Sequence, residues 1–387
     1  MANPAMAQPA AGAVPARVAA IRLQLNAFRN YAALRLELEP ASCVLTGPNG
    51  AGKTNLLEAL SLLAPGRGLR RAPLKELGRE GDGPFAVHGT FLTPAGAIAV
   101  GTGLDPGTER RVVHVDGVVR SGPAALGDVT GAVWLTPAMD RLFVEGTSAR
   151  RRLLDRLVQA GDPAYARQLA LYEHLLRERA RLLRNGRADP VWLAGLEQRA
   201  AAAGVAVGAA RLEVTAELNA RLAEAHSPFP VAALAVRGEV EGALTARPAL
   251  EVEDDFARRL AAARAEDAVA GGARHGPHRS DLDIVDVELD APAGRVSTGR
   301  QKALLVGLVL AECRLFRERN GRLPLLLLDE VGAHLDRRRR GELVRELHAL
   351  GAQAWLSGTE PDGFEELRGH AQFLRVDEGR VLRDVRD

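Results

Sequence analysis

A glycine-rich loop directly after an apolar run is the feature that most constrains the fold of this chain. The loop reads GPNGAGKT from Gly47 to Thr54 and follows the apolar residues 43–45. It fits the pattern G-x-x-x-x-G-K-[ST] without a mismatch, which predicts a phosphate-binding loop between a strand and a helix. Leucines recur at helical spacing afterwards, so we expect a helix from near Gly52 to Pro65. The simpler alternative is a glycine-rich turn with a helix cap.

The residue types of this glycine loop suit a triphosphate. Glycines let successive backbone N–H groups turn toward phosphate oxygens, and the helix N-terminus adds the positive end of its dipole. Lys53 supplies a positive charge to the phosphates and is also a predicted catalytic residue. Thr54 supplies a hydroxyl ligand for Mg²⁺. The predicted nucleotide contacts in the loop are Gly47, Pro48, Asn49, Gly50, Ala51, Gly52, Lys53 and Thr54.

A second apolar run ends in two acidic residues. Residues 323–328 are continuously apolar, as in a strand buried on both faces of a parallel sheet, and Asp329 and Glu330 follow. Asp329 at the strand end is predicted to hold Mg²⁺, and Glu330 to polarise the attacking water as a general base. Without the glycine loop, the same two acids could simply cap the next turn.

A third segment, VSTGRQ at residues 296–301, opens a predicted helix upstream of the acidic pair. ABC-type ATPases carry their signature segment at this place in the motif order, and that segment faces a nucleotide held by another subunit. Ser297, Gly299 and Gln301 are therefore predicted contacts to a partner's nucleotide, and Asp336 has the position of the D-loop acid. In isolation the segment would be an ordinary helix cap.

The rest of the chain predicts an α/β head interrupted by a helical insertion. Apolar residues alternate over residues 21–38 and in short runs between 85 and 135, which predicts strands and an antiparallel meander. Ala, Leu, Arg and Glu dominate over residues 146–270, and a turn at 185–190 divides two long helices into a hairpin. The predicted fold is α/β, with a disordered tail at residues 1–20, an ABC-type P-loop ATPase head with a β-rich edge at residues 21–145 and 271–387, and an inserted, mostly helical arm at residues 146–270.

Composition narrows the class of protein without identifying a partner. Lys plus Arg total 51 and Asp plus Glu total 49, so the net charge gives no basic footprint for a nucleic acid. Cys43 and Cys313 are the only cysteines, which favours a reducing compartment. No apolar run reaches the roughly 18 residues of a membrane span. We therefore expect a cytoplasmic protein that does not enter a membrane.

These motifs together resemble the RecF family of bacterial recombination and repair ATPases, relatives of the SMC-type heads. The resemblance runs from about Ile21 to the C-terminus and includes NAFRNY at 26–31, TPAMDRLFVEGTSARRRLLDR at 136–156, GPHRSDL at 276–282, STGRQKALLVGLVLAE and LLLLDEVGAHLD. It implies an ATP- and Mg²⁺-dependent homodimer at gaps or junctions in single-stranded and double-stranded DNA, with weak, DNA-dependent ATPase activity. It also implies action with RecR and RecO in loading the RecA recombinase during replication and SOS-linked repair.

The resemblance adds further site residues and shows two departures. Arg29, Asn49 and Asn55 become additional nucleotide contacts by family analogy. Thr298 and Arg300 depart from the residues of ABC signatures, and no histidine follows residues 353–356, so we expect slow hydrolysis. The arginines at 150–152 and 337–340 are either contacts to DNA phosphates or solvated helix faces.

Two other classes of protein remain as alternatives. The nucleotide-binding subunit of an ABC transporter would carry a compact helical insert and a switch histidine after residues 353–356. A small-molecule P-loop kinase would need neither a signature segment nor a dimer. The long insert and the signature segment favour the DNA-repair ATPase over both.

Overall fold

The chain forms three β-sheets and a set of helices over the residues that the computed structural model describes, which are 17–162, 164–186, 189–224 and 227–383. The strands are β1 (Ala19–Phe28), β2 (Tyr31–Glu37), β3 (Ser42–Thr46), β4 (Ala86–Thr93), β5 (Gly96–Leu104), β6 (Arg111–Val115), β7 (Val118–Arg120), β8 (Ala132–Leu135), β9 (Ala232–Arg237), β10 (Asp281–Asp286), β11 (Ala291–Pro292), β12 (Leu325–Leu328), β13 (Ala354–Ser357), β14 (Ala371–Asp377) and β15 (Arg380–Arg383). The α-helices are α1 (Lys53–Leu62), α2 (Thr147–Gly161), α3 (Tyr165–Asn185), α4 (Pro190–Glu224), α5 (Glu239–Leu244), α6 (Ala249–Ala262), α7 (Arg264–Ala270), α8 (Thr298–Asn320) and α9 (Arg337–Leu350).

The central sheet has the order β15-β14-β3-β13-β12-β8 and is parallel except for β15. All four residues of β12 are buried, as are those of β13, which explains why β12 reads as a continuous apolar run. Parallel neighbours end at the same edge of a sheet, where ligands bind in open α/β folds. The glycine loop after β3, the acidic pair after β12 and the end of β13 therefore meet at one edge.

The β-rich edge is an antiparallel sheet of order β2-β1-β4-β5-β6-β7. Helix α1 lies between this sheet and the central sheet, and its Leu56, Leu57 and Leu60 are fully buried in the core that the two sheets share. Phe28 and Phe85 meet edge to face in this core, with ring centroids 5.8 Å apart. The helix that begins at the glycine loop is thus fixed from both sides.

The arm is built on the antiparallel pair α3 and α4, which confirms the predicted hairpin. Arg179 on α3 is fully buried and pairs with Glu197 at 2.9 Å and with Asp267 at 2.7 Å, so its charge is neutralised inside the arm. Gly204 on α4 allows close packing, because a Cβ there would lie 2.9 Å from Tyr172. The domain boundaries themselves remain a prediction.

One strand occupies a sheet that differs from the predicted one. Residues 132–135 were expected in the antiparallel meander, but β8 pairs in parallel with β12 at the edge of the central sheet. Alternation identifies a half-buried strand and not its partner, which explains the error. Strand β10 joins β9 and β11 in a separate antiparallel sheet.

The predicted tail is ordered at its end. Val18, Ala19 and Ala20 are buried, and β1 begins two residues before the expected start of the head. The remaining part of the predicted tail, residues 1–16, lies outside the described residues. Among the helices of the described ranges, none combines the length and apolar character needed to cross a bilayer.

Candidate nucleotide-binding site

Glycine is required at two positions of the glycine loop. Gly47 has φ 141°, and a Cβ there would lie 2.0 Å from the carbonyl oxygen of Val376. Gly52 has φ 118°, and a Cβ there would lie 2.6 Å from the side chains of Asn30 and Tyr31. These backbone conformations and close approaches exclude other residues and keep the loop open toward a ligand.

Asn30 and Tyr31 hold the glycine loop from outside. The Asn30 Nδ2 donates to the Ala51 carbonyl at 3.0 Å, and the Tyr31 hydroxyl donates to the Gly52 carbonyl at 3.1 Å. The Asn55 Nδ2 in turn donates to the Asn30 Oδ1 at 2.8 Å. Neither Asn30 nor Tyr31 was a predicted site residue, although both belong to the family-like stretch NAFRNY.

Lys53 reaches back across the glycine loop. Its Nζ donates to the carbonyl oxygens of Gly47 at 2.7 Å and Pro48 at 2.9 Å, and the side chain is buried. Burial lowers the pKa of Lys53, and the nearby carboxylates of Glu330 and Asp329 raise it. Among the described residues, the hydrogen-bond partners of the ammonium group are two neutral carbonyls, and phosphate oxygens would be stronger acceptors.

Thr54 and Asp329 are in direct contact, although far apart in sequence. The Thr54 Oγ1 donates to the two Asp329 carboxylate oxygens at 2.9 and 3.0 Å. The hydroxyl of Ser357, at the end of β13, donates to Asp329 Oδ1 at 2.7 Å and fixes the carboxylate from the other side. A hydroxyl and one carboxylate are hard oxygen donors of the kind Mg²⁺ uses together with substrate phosphates, so this pair fits the predicted metal.

Glu330 occupies a strained backbone conformation beside this pair. Its φ of 49° lies in the left-handed region, which is uncommon for residues other than glycine and is concentrated at functional sites. The Glu330 N–H donates to Ser357 Oγ at 2.8 Å, and its carbonyl accepts from Lys302 Nζ at 3.3 Å. Within the described residues its carboxylate forms no hydrogen bond or ion pair. The group predicted to be the general base is held by its backbone and has a free side chain.

Arg29 is engaged within the chain. Its guanidinium donates to both Glu58 carboxylate oxygens at 2.8 and 2.9 Å and to the Glu76 carbonyl at 2.7 Å. Because Glu58 lies on α1, Arg29 ties the turn after β1 to the helix that begins at the glycine loop. A direct contact of Arg29 with phosphate remains a prediction, and it would require this pairing to rearrange. Pro48 and Asn49 are exposed at the loop tip.

The signature segment, residues 296–301, faces solvent at the start of α8. Ser297 is the N-cap, its hydroxyl accepts from the Arg300 N–H at 3.4 Å, and Ser297 and Thr298 are exposed. Gln301 is buried and its Nε2 donates to the Val296 carbonyl at 2.9 Å. Within the described residues, no hydrogen bond joins this segment to the glycine loop. The role of these residues toward a partner's nucleotide stays a prediction.

One arginine links the signature segment to the D-loop acid. Asp336 caps α9 by accepting from the Arg339 N–H at 2.8 Å, and Arg339 Nη1 donates to the Gly299 carbonyl at 3.2 Å. Arg300, which departs from the ABC pattern, is ion-paired with Asp286 and with Glu288 inside the same chain. The departure at Arg300 therefore has an internal partner.

Most of the clustered arginines have internal partners as well. Arg150 forms two hydrogen bonds to Asp281 at 2.9 and 2.7 Å, and Arg151 donates to the Ser280 carbonyl at 2.6 Å. These contacts tie α2 to the GPHRSDL stretch. The same stretch is fixed from α4, because buried Arg211 donates to the Pro277 carbonyl at 2.6 Å. Arg152 differs, since it has no such partner among the described residues.

Fold and site together define an ABC-type P-loop ATPase head. The family described as "AAA domain, putative AbiEii toxin, Type IV TA system" matches residues 43–358. The DNA replication and repair protein RecF of Mesorhizobium japonicum is 46% identical over 374 residues, which cover 95% of this chain and 98% of that protein. The chain belongs to the RecF family, which confirms the resemblance stated above.

A further relative and two solved structures agree with this assignment. The DNA replication and repair protein RecF of Rhizobium johnstonii is 46% identical over 95% of this chain and 100% of its own length. The structure of the recombination mediator protein RecF-ATPrS in the RecFOR pathway has a TM-score of 0.83 at 22% identity, covering 96% of this chain and 99% of that one. An Smc head bound to the C-winged helix domain of ScpA has a TM-score of 0.52 at 13% identity, covering 95% of this chain and 97% of that one. These likenesses confirm the predicted fold class.

Proposed function

We propose that this protein is an ATP-dependent DNA-binding ATPase of recombination and replication repair that dimerises on ATP at gapped or junction DNA. The observation that carries the proposal is the contrast between an assembled nucleotide site around Lys53 and Asp329 and an exposed signature segment at Ser297. The names of the curated relatives, which span nearly the whole chain, support the DNA-repair role. Action with RecR and RecO in loading RecA, in the cytoplasm and within the SOS response, is part of the same proposal.

The residues divide the work of nucleotide binding. The glycine-loop amides and Lys53 would bind the phosphates of ATP, and Thr54 and Asp329 would hold Mg²⁺, which supplies charge neutralisation at the phosphate oxygens. The Glu330 carboxylate would accept the proton of the attacking water. Ser297 of a second copy would cap the phosphates from the opposite side through its hydroxyl and the start of α8.

Slow hydrolysis belongs to this proposal. Where a transporter subunit carries a histidine after the strand, this chain has Ser357 at the end of β13, followed by Gly358 and Thr359. The Ser357 hydroxyl already donates to Asp329 and accepts from the Glu330 N–H. Unlike a histidine, a serine hydroxyl does not gain or lose a proton near neutral pH. A weak, DNA-dependent ATPase that acts as a switch fits these residues better than the ABC transporter subunit.

Sedimentation with and without DNA tests the proposal. ATP with Mg²⁺ is expected to convert the protein to a dimer, and a gapped duplex is expected to bind more tightly with ATP than with ADP. A sedimentation mass that ATP does not change, or DNA affinity that is the same with either nucleotide, would refute it.

A further inference from the structure

A cavity of about 290 Å³ is lined by residues that have no proposed part in nucleotide binding or hydrolysis. Its walls come from the segment that follows α1, from β8 and the turn after it, and from α2. The volume is at the lower end of the range of small-ligand sites, so it suits one flat ring system or one large side chain.

Three arginines without partners surround this cavity. They are Arg67 and Arg71, on the segment after α1, and Arg152, on α2. Among the described residues, none of their guanidinium groups forms an ion pair or hydrogen bond, whereas most arginines of the chain do. Burial and the proximity of Arg67 and Arg152 lower the pKa of Arg71, while Asp155 and Glu173 act in the opposite direction.

The nearby acids do not neutralise this group, which we call the arginine rim. Asp155 already accepts hydrogen bonds from Arg211 at 2.7 Å and from the Tyr165 hydroxyl at 2.6 Å. Glu145 lines the cavity as its one acidic residue. Cations held together without counter-charges form a site for an anion, and guanidinium groups match the oxygens of phosphate particularly well.

The interior of the cavity is apolar and aromatic. Trp134, Leu142 and Phe316 line it, and the guanidinium of Arg156 lies over the Trp134 ring at 5.3 Å from its centroid. The side-chain amide of Gln159 also lines the cavity and has no hydrogen-bond partner in the described part of the chain. An aromatic wall with one free amide offers stacking and a donor and acceptor for a ring edge.

The segment that carries Arg67 and Arg71 is fixed in place. Arg111 donates to the Gly66 carbonyl at 2.5 Å and also to the Leu62 carbonyl, and the Leu69 N–H donates to Ser61 Oγ at 2.7 Å. Arg71 itself has a left-handed φ of 54°. Strain of this kind persists only where surrounding contacts impose it, so the backbone that carries Arg67 and Arg71 is fixed, while the side chains of the arginine rim are exposed.

We propose that this cavity receives one unstacked nucleotide of the DNA, with its base against Trp134 and the flanking phosphates on the arginine rim. A splayed nucleotide presents its phosphates at the outside and its base at the inside, and the cavity has cations at its rim and aromatic rings in its interior. A ligand with a single carboxylate would not need three arginines. The inference rests on the proposed DNA-binding function and makes it specific: gaps and junctions, unlike continuous duplex, supply unpaired bases at little cost.

Three variants separate base capture from general attraction to DNA. The rim variant is Arg67→Gln, Arg71→Asn and Arg152→Gln, where asparagine suits the left-handed backbone at 71. The charge control is Arg110→Gln, Arg184→Gln and Arg199→Gln, which removes three exposed arginines that also lack partners among the described residues. The filling variant is Ala160→Leu, which keeps the charge and occupies part of the cavity.

The measurements are affinities for a gapped and a continuous duplex with ATP and Mg²⁺, and the fluorescence of 2-aminopurine placed in the gap. The rim and filling variants should lose about tenfold of the preference for gapped DNA, together with the change in 2-aminopurine emission that binding to the unaltered protein causes, while the charge control weakens binding to both duplexes equally. An unchanged preference in either the rim or the filling variant would refute base capture.

Two further outcomes would also count against the inference. A peptide of alternating phenylalanine and glutamate tests whether the cavity binds a protein segment instead. That alternative holds if the peptide does not displace the protein from gapped DNA, yet changes Trp134 emission in the unaltered protein and not in the rim variant. If the unaltered protein binds gapped DNA equally with ATP and ADP, the proposed function itself fails. If DNA binding depends on ATP but the rim and filling variants keep the preference for gapped DNA, base capture is refuted and the proposed function stands.

Discussion

The two regions that are predicted to face a nucleotide differ in how many of their contacts the single chain supplies. Around the glycine loop, Lys53 is buried, Thr54 and Asp329 are bonded to each other, and Ser357 at the end of β13 fixes Asp329. The signature segment has its capping serine exposed, and its neighbours are engaged only with their own chain. We propose that the first region binds ATP in the single chain and that the second acts only when a second copy is present. Each prediction below tests one side of this comparison.

The largest expected effect concerns hydrolysis. Glu330→Gln removes the base and keeps the size of the side chain, so ATP should bind as before while turnover falls by about 10²- to 10⁴-fold. The measurement is single-turnover release of phosphate, with sedimentation to show that the ATP-bound dimer persists. Glu365→Gln, which neutralises an exposed acid outside the site, is the control. Turnover at the unaltered rate would show that another group is the base.

The next effect concerns binding by the completed region. Lys53→Ala removes the buried ammonium that would meet the phosphates, so ATP affinity should fall by at least about 30-fold. Titration with a fluorescent ATP analogue measures this. Lys75→Ala is the matched control, because Lys75 is exposed and pairs only with exposed Glu109. An ATP affinity within a few-fold of that of the unaltered protein would contradict the predicted role of Lys53 in phosphate binding.

The third effect isolates the incomplete region. Ser297→Asp preserves the helix cap but places a negative charge where a partner's phosphates are predicted, whereas Ser297→Asn is an equally good cap without charge. Binding of ATP by the monomer should be unchanged in both variants, and the ATP-dependent dimer should weaken about tenfold in Ser297→Asp alone. Dimers of equal strength would show that Ser297 does not face the nucleotide.

The sequence predicts the parts of this site that are local in the chain. The glycine loop, the acidic pair and the cap at Ser297 were recognisable because each motif depends on residues a few positions apart. Asn30, Tyr31 and Ser357 were missed because their partners Ala51, Gly52 and Asp329 lie 21 to 28 positions away in the sequence. Alternation also cannot tell which sheet a strand joins, as β8 shows. The sequence did contain one signal for Ser357, because this serine stands at the strand end where a transporter subunit would carry its histidine.

Arg29 illustrates the same limit from the other direction. Its place beside the glycine loop was anticipated by resemblance, but its ion pair with Glu58 depends on how α1 turns toward β1. The arginines at 150 and 151 likewise have partners at positions 281 and 280, which no local charge pattern reveals. Charge runs in sequence therefore overstate the number of cations available to DNA.

The smallest expected effect compares two serines. Ser357 is fully buried, and Ser357→Ala would leave the Glu330 N–H without its acceptor, so the free energy of unfolding without nucleotide should fall by about 1–3 kcal/mol. Ser297→Gly should cost only a few tenths of a kcal/mol, because glycine is a tolerated cap and the position is exposed. Chemical denaturation of both variants measures the difference.

Because Ser357 also holds Asp329, its loss should slow hydrolysis in a dimer that still forms, whereas changes at Ser297 are expected to weaken the dimer itself. Equal stability losses for the two serines would mean that the nucleotide region is no more rigidly built in the free chain than the signature segment.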